Sequence, residues 1–354
     1  MKTSKFVLLF LISVLFSACT SNTKEIDSEC SSGVVLIKNA GYYELEIEGE
    51  SFYFSNYDAK EGVDGFVFDE DSVRPIVSYG TGFFVSEFGE IVTNRHVITS
   101  TVTEKEAQKM LSNLLKALKS ELSDEYDEIT EAKQEISSLR IDEIWEDDPD
   151  YDLINTCEEL LYAAEERQNE LSDLYHVLDE IDYRDAELHY HNEVSIAYND
   201  TYVTKYSDFI ECVVKKVSED SDLALVQLKD KRTPADKYIF EVPDKDMLEN
   251  YTMGEKIAKL FGDNKNDRLY MISFNLGPAL GITENGVMSQ INEGGISQNT
   301  KDRVMYSIPA LHGSSGSPVV NGRKQLVAIN FAGLDQTQGF NYGLKTQSLR
   351  EMLY

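Results

Sequence analysis

Near its end the chain reads Gly313-Ser314-Ser315-Gly316-Ser317-Pro318, and two earlier stretches read Ile91-Val-Thr-Asn-Arg-His96-Val and Ser221-Asp222-Leu-Ala-Leu-Val226. Each stretch carries one side chain of the kind that acyl transfer needs. A serine hydroxyl is a weak nucleophile until a neighbouring base takes its proton. A histidine can be that base when a carboxylate accepts its other N–H and holds the ring in one tautomer. The three stretches together predict a triad of His96, Asp222 and Ser315.

The serine loop offers three hydroxyls, those of Ser314, Ser315 and Ser317. Only Ser315 has a glycine both two positions before it and directly after it. A tight glycine turn lets backbone N–H groups converge on the negative charge that develops on the substrate oxygen. We therefore expect Ser315 to be the nucleophile and the N–H groups of Gly313 and Ser315 to form the oxyanion hole.

His96 follows a short apolar segment, which places it at the end of a predicted strand. Asp222 directly precedes another apolar strand, where a carboxylate can be buried against the histidine. Asp220 and Glu219 are nearby alternatives, and Asp220 better fits a solvated turn. The other four histidines lie in less suitable contexts: His176, His189, His191 and His312.

The N-terminus has the pattern of an export signal, because two lysines precede the apolar run Phe6–Phe16, which is too short to span a bilayer. Small residues then lead directly to Cys19, which resembles the lipobox of bacterial lipoproteins. We expect residues 1–18 to be a signal peptide and Cys19 to carry lipid that anchors the exported protein to a membrane of the bacterial cell envelope, on its periplasmic or surface side. An ordinary signal peptide with a cysteine near its cleavage site is the alternative.

The 354-residue chain has a formal net charge of −30, and residues 103–192 alone contain 27 acidic and 8 basic residues. Such a surface repels phosphate backbones, and no basic patch or phosphate-binding loop is evident, so nucleic acid is not an expected partner. Besides Cys19 the chain has three cysteines, Cys30, Cys157 and Cys212, which cannot all pair within one chain.

Hydrophobic periodicity predicts β-rich ends and a helical middle. Apolar residues recur at helical spacing over Leu111–Leu139 and Cys157–Ile181, with the turn Trp145–Asp150 between them. We expect a mainly β protein of two six-stranded antiparallel barrels with an inserted α-helical hairpin, and Ile257–Phe261 is one expected strand. The expected boundaries are a tether over 19–32, the first barrel over 33–101 and 189–245, the hairpin insertion over 102–188, and the second barrel with a terminal helix over 246–354.

The quoted motifs resemble the bacterial branch of the chymotrypsin-like peptidases, the glutamyl endopeptidases and HtrA-type proteases. That fold presents its triad in the order His, Asp, Ser, whereas subtilisins and α/β-hydrolases use other orders. The resemblance covers about residues 33–98 and 194–354 and includes Val327-Ala-Ile-Asn-Phe331. It implies a serine endopeptidase that cleaves proteins or peptides through an acyl-enzyme, without a metal or other cofactor. We expect no PDZ-type module after Tyr354.

The predicted specificity departs from that of the best-known relatives. Pro309 stands where trypsin-like enzymes have an acidic residue, and Ala310 and Asn330 stand where glutamyl endopeptidases hold the P1 carboxylate with a threonine and a histidine. The resemblance therefore implies that Ala310, Asn330, Phe331 and Ala332 form a small, mostly neutral S1 pocket that favours small or medium apolar P1 residues.

The acidic hairpin, residues 103–185, has two interpretations. It is either a solvated decoration or an arm that docks a protein partner or gates substrate. The alternatives to an active peptidase are accordingly a catalytically silent scaffold that binds through the hairpin, and an enzyme whose oxyanion loop is ordered only by a partner.

Overall fold

The structure is a computed structural model that describes residues 22–58, 62–100, 102–218, 220–249, 252–260, 265–333 and 341–354. The described chain divides into two compact units. Unit 1 consists of the described residues of Met1–Gly41, Pro75–Ser100 and Asn192–Tyr354, and unit 2 of those of Tyr42–Arg74 and Thr101–His191.

The elements are numbered along the chain. The strands are β1 (Val34–Ile47), β2 (Glu50–Phe54), β3 (Asn56–Asp58), β4 (Gly62–Asp64), β5 (Ile76–Phe84), β6 (Glu90–Thr93), β7 (Glu187–Tyr198), β8 (Ile210–Val217), β9 (Ala224–Leu228), β10 (Arg268–Ser273), β11 (Ile282–Thr283), β12 (Gly286–Val287), β13 (Gln290–Asn299), β14 (Arg303–Tyr306), β15 (Pro318–Asn321), β16 (Leu326–Gly333) and β17 (Asn341–Lys345). The helices are α1 (Asn22–Cys30), α2 (Arg95–Ile98), α3 (Glu104–Ile144), α4 (Tyr151–Glu180), α5 (Met253–Leu260), α6 (Pro278–Gly281) and α7 (Thr346–Leu353).

Two sets of six strands close into antiparallel barrels. In the first, β1, β5, β6, β9, β8 and β7 are hydrogen-bonded in that order and β7 pairs back with β1, while β2 extends the sheet. In the second, β10, β13, β14, β17, β16 and β15 form the closed ring. Alternate residues of a strand face opposite sides, so each barrel fills its interior with apolar side chains, such as Ile91 and Val226 in the first and Val319 and Ala328 in the second. The predicted two-barrel, chymotrypsin-like fold is confirmed.

Unit 2 contains the predicted helical hairpin, which is also confirmed. Thr103 and Glu106 exchange capping hydrogen bonds at the start of α3, and Asp150 caps α4. The first turns of α3 are buried together with the outer part of β1 and with β2, in one apolar core that includes Leu45, Phe54, Leu111 and Leu115. The base of the hairpin is therefore part of a folded unit.

Three segments differ from the prediction. Residues 22–30, expected within the tether, form α1, because Ile26 and Cys30 lie one helical turn apart and are both buried. The expected strand Ile257–Phe261 is instead helical up to Leu260, within α5. Tyr42–Arg74, assigned to the first barrel from the sequence, belongs to unit 2.

No helix in the described part of the chain is long and apolar enough to cross a bilayer. The predicted signal peptide and Cys19 lie outside the described residues.

Candidate active site

Strand register brings His96 and Asp222 together. β6 pairs with β9 so that Thr93 lies opposite Ala224. His96 follows the end of β6 on the short helix α2, and Asp222 directly precedes the apolar run that leads into β9. Two residues after His96, the chain is held in place because Ile98 is buried in the first-barrel core. The predicted histidine and aspartate thus leave the same end of two adjacent strands.

Both oxygens of the Asp222 carboxylate face His96. The ring Nδ1 of His96 lies 2.6 Å from Oδ2, and its backbone N–H donates to Oδ1 at 3.0 Å. Asn94 donates its side-chain amide to the Asp222 carbonyl at 2.7 Å. With Nδ1 engaged by the carboxylate, Nε2 is the ring nitrogen left for acid–base work. The alternative Asp220 is exposed, and Glu219 lies outside the described residues.

The three serines of the loop have different environments. The Ser314 hydroxyl is buried, donates to the Leu311 carbonyl at 2.7 Å and accepts from Asn330. The Ser317 hydroxyl is completely buried and has no hydrogen-bond partner among the described residues. Ser315 is partly exposed, and within the described chain its hydroxyl makes no hydrogen bond. Of the three hydroxyls, only that of Ser315 is both accessible and uncommitted.

The backbone around Ser315 adopts the turn that the glycine pattern predicts. Gly313 has φ +92° and Gly316 has φ +85°, in the region that favours glycine. Among the described residues, neither the Gly313 nor the Ser315 N–H donates to an acceptor of the protein. Both amides are therefore left available to an oxygen from outside the chain.

Thr81 joins the serine loop to the first barrel. Its N–H donates to the Ser315 carbonyl at 2.8 Å, and its hydroxyl donates to the Gly313 carbonyl at 2.7 Å and accepts from the Phe274 N–H at 3.0 Å. The Thr93 hydroxyl in turn donates to the Thr81 carbonyl at 2.8 Å. Sequence reasoning assigned no role to Thr81, and the neighbouring Gly80 and Gly82 give no signal for it, because a Cβ added at these glycines would meet Val97 and Ile37 of the first barrel.

The residues predicted to line the S1 pocket have unequal exposure. Asn330 is buried, donates to the Ser314 carbonyl at 3.0 Å and accepts from the Tyr306 hydroxyl at 2.7 Å. Burial raises the pKa of Tyr306 well above its usual value, so this hydroxyl stays protonated. A substrate contact by Asn330 stays a prediction, since its side-chain amide is already bonded within the protein.

The other predicted pocket residues lie at the margins of the apolar cores. Ala310 and Phe331 are partly buried and pack against them. The Arg303 guanidinium lies 5.1 Å from the centre of the Phe331 ring. The side chain of Ala332 is outside the described part of the chain.

Two closed antiparallel barrels, with a histidine–carboxylate pair on one and a glycine-bounded serine on the other, define the class of trypsin-like serine proteases. The family model described as "Trypsin-like peptidase domain" matches residues 144–329, more than half of the chain. The chain therefore belongs to the trypsin-like peptidase family. The matched stretch contains Asp222 and Ser315 and begins after His96.

Among solved structures, the chain is similar to the serine endoprotease from Yersinia pestis, with 12% sequence identity and a TM-score of 0.43. The alignment covers 94% of this chain and 65% of the endoprotease chain. No curated protein matches the sequence.

Replacing Gly316 with alanine tests how tightly the serine loop is held. A Cβ at Gly316 would lie 2.2 Å from the Thr81 carbonyl oxygen and 2.5 Å from the Thr93 hydroxyl. We expect Gly316→Ala to lower the free energy of unfolding by roughly 3 kcal/mol or more, from backbone strain together with overpacking. Thermal unfolding measures this change. Gly49→Ala is the matched control, because Gly49 also has φ +85° but nothing lies near its added Cβ. Equal losses in the two variants would contradict a tight contact at Gly316.

Proposed function

We propose that the protein is a serine endopeptidase that cleaves peptide bonds of proteins through an acyl-enzyme, with His96, Asp222 and Ser315 as its triad. The observation that carries the proposal is the 2.6 Å contact between His96 Nδ1 and the Asp222 carboxylate, on the barrel to which Thr81 binds the Ser315 loop. The family membership supports the same reaction class.

In the proposed reaction, His96 Nε2 takes the proton of the Ser315 hydroxyl as its oxygen attacks the scissile carbonyl. Asp222 holds the ring through Nδ1 and stabilises the imidazolium that forms. The N–H groups of Gly313 and Ser315 donate to the carbonyl oxygen as it becomes negative. His96 then gives its proton to the leaving amine, and a water molecule hydrolyses the ester at Ser315 by the same steps.

The serine assignment is tested with two alanine variants. We expect Ser315→Ala to abolish fluorophosphonate labelling of the chain from Thr20 and to lower peptide hydrolysis about 10⁴-fold or more, because the nucleophile is gone. Ser317→Ala should keep both within a few-fold, since removing a buried hydroxyl that has no partner is nearly neutral. Labelling that survives in Ser315→Ala would refute the assignment. A folded wild-type chain that is never labelled would favour the silent scaffold or a site that a partner must order.

The carboxylate assignment is tested by the Asp222→Asn and Asp220→Asn pair. We expect Asp222→Asn to reduce the kcat for peptide hydrolysis by about 10³- to 10⁴-fold, because an amide cannot accept the Nδ1 proton as a carboxylate does and favours the wrong tautomer. Asp220→Asn is the matched control, because Asp220 is exposed, and this variant should retain activity. The opposite ranking would move the carboxylate role to Asp220.

We further propose an apolar S1 preference. The partly buried Ala310 and Phe331 support it, because both pack against apolar cores. A peptide library should show cleavage after small or medium apolar residues, with kcat/KM about tenfold or more above that for acidic or basic P1 residues. Cleavage after Arg or Lys would defeat this preference. Cleavage after Glu would also defeat it, and the Arg303 guanidinium over Phe331 would then be the group to replace first.

The lipid anchor at Cys19 and the position in the bacterial cell envelope are also proposals, supported by the lysines, apolar run and small residues that precede Cys19. Mass spectrometry of the mature N-terminus tests them. A Cys19 that bears acyl chains supports the anchor, and cleavage without lipid identifies an ordinary signal peptide.

We also infer that the hairpin docks a protein partner or a protein substrate. The single tryptophan of the chain, Trp145, is 83% exposed at its turn, with Tyr151 also exposed. The Lys119–Asp179 and Arg140–Glu158 ion pairs fix the alignment of the two helices, so Ser123 and Tyr175 are suitable ends for a truncation.

Removing Asp124–Leu174 and closing the gap with a short glycine-rich turn keeps Leu111 and Leu115 in the unit 2 core. We expect peptide hydrolysis by this variant to be unchanged and cleavage of protein substrates to change at least about tenfold, because a lost docking surface affects only large ligands. Equal activity of both forms on peptides and proteins would leave the hairpin as a solvated decoration.

A further inference from the structure

Helix α5 is amphipathic, but its apolar face is exposed to solvent and its polar face contacts the rest of unit 1. Met253, Ile257 and Leu260 are spaced by four and three residues, so they share one face of the helix. A surface helix normally buries such a face against the core. Here the three side chains are 74%, 49% and 85% exposed. The apolar face of α5 is therefore turned away from unit 1.

The polar side of α5 makes the contacts with the protein. Glu255 lies on the opposite face, is largely buried, and its carboxylate is 3.3 Å from the Arg323 guanidinium. Thr252 and Glu255 also exchange the hydrogen bonds of a capping box, which fixes the start of the helix. Lys259 pairs with Asp267 at 2.8 Å. The reversed orientation is thus held by specific polar contacts.

Helix α1 contacts the same turn as α5, the turn that contains Arg323 and Lys324. Lys324, the residue after Arg323, contacts Glu25 at 3.1 Å and Glu29 at 2.6 Å on α1. Cys19 precedes the start of α1 by three residues, a length of chain that reaches at most about 11 Å. A lipid on Cys19 would therefore be tethered close to the turn that α5 contacts through Glu255.

We propose that Met253, Ile257 and Leu260 insert into the surface of the lipid bilayer that carries the protein, as a second membrane contact beside the lipid anchor. A bilayer suits this face because it accepts an apolar stripe laid parallel to its plane, and Lys256 at the border of the stripe meets the phosphates of the headgroups. The proposal rests on the membrane location proposed above and is independent of the peptidase chemistry.

The contact between α5 and Arg323 also relates the proposed membrane contact to the serine loop. β15 runs from the serine loop to the turn that contains Arg323. Its four residues span about 13 Å, and Ser315 and Arg323 lie beyond its two ends. With α5 on the bilayer, we expect Ser315, at the far end of β15, to stand off the membrane surface and to receive substrates from the aqueous side.

A single fluorescent label tests the contact. Cys30, Cys157 and Cys212 are buried, so an environment-sensitive dye can be attached to Ile257→Cys in the lipidated full chain. On phosphatidylcholine vesicles, with and without phosphatidylglycerol, we expect a blue-shifted emission that nitroxide-labelled lipids quench. Leu280→Cys is the matched control, because Leu280 is 50% exposed but lies on α6, beside the serine loop. Its label should stay in water.

The contribution of α5 to membrane binding without the lipid is measured on the chain from Thr20, which retains every described element. Its partition onto the same vesicles should fall at least about tenfold in Ile257→Asp and stay unchanged in Leu280→Asp, because only Ile257 would leave the bilayer. Fluorophosphonate labelling should be the same in wild type and Ile257→Asp, so a failure of the peptidase assignment is read separately. A label at position 257 that stays in water on both vesicles would overturn the proposal.

Discussion

The hydrogen bonds of Thr81 connect the two barrels at the proposed active site. Its N–H and hydroxyl reach the carbonyls of Ser315 and Gly313, and its hydroxyl also accepts from the Phe274 N–H. Thr81 is fully buried, so each of these groups would carry the full cost of desolvation if its partner moved. Gly316 can approach Thr81 closely only because it has no side chain. The serine loop is therefore positioned by the first barrel, although it belongs to the second.

The histidine–aspartate pair follows from a more local constraint, and this is why it could be predicted. Both residues adjoin short apolar strands, and the sequence shows that adjacency directly. The pairing of Thr93 with Ala224 then brings the two strand ends together. The Thr81 contacts could not be predicted in the same way, because Thr81 and Gly313 are 232 residues apart and a threonine between glycines has many ordinary explanations.

The length of the apolar pattern in the sequence explains which helices could be predicted. α3 and α4 repeat an apolar pattern over many turns, and their caps are visible in the sequence. Among the described side chains of α1, only Ile26 and Cys30 are buried, and so short a pattern predicts a tether. In α5, a short apolar run is ambiguous between strand and helix, and the deciding signal was the capping pair of Thr252 and Glu255. A short helix whose polar side faces the protein offers no core-facing pattern to recognise.

Asn330 shows how one position can connect specificity with the stability of the serine loop. The resemblance aligns Asn330 with the position where glutamyl endopeptidases bind the P1 carboxylate, yet here its side-chain amide donates to the Ser314 carbonyl and accepts from the Tyr306 hydroxyl. Because Tyr306 is fully buried, a side chain at position 330 with no acceptor at the place of the Asn330 Oδ1 would leave the Tyr306 hydroxyl unpaired. The chain cannot acquire an acid-binding histidine there without also loosening the loop that carries Ser315. The neutral side chain of Asn330 thus stabilises the serine loop through hydrogen bonds inside the protein.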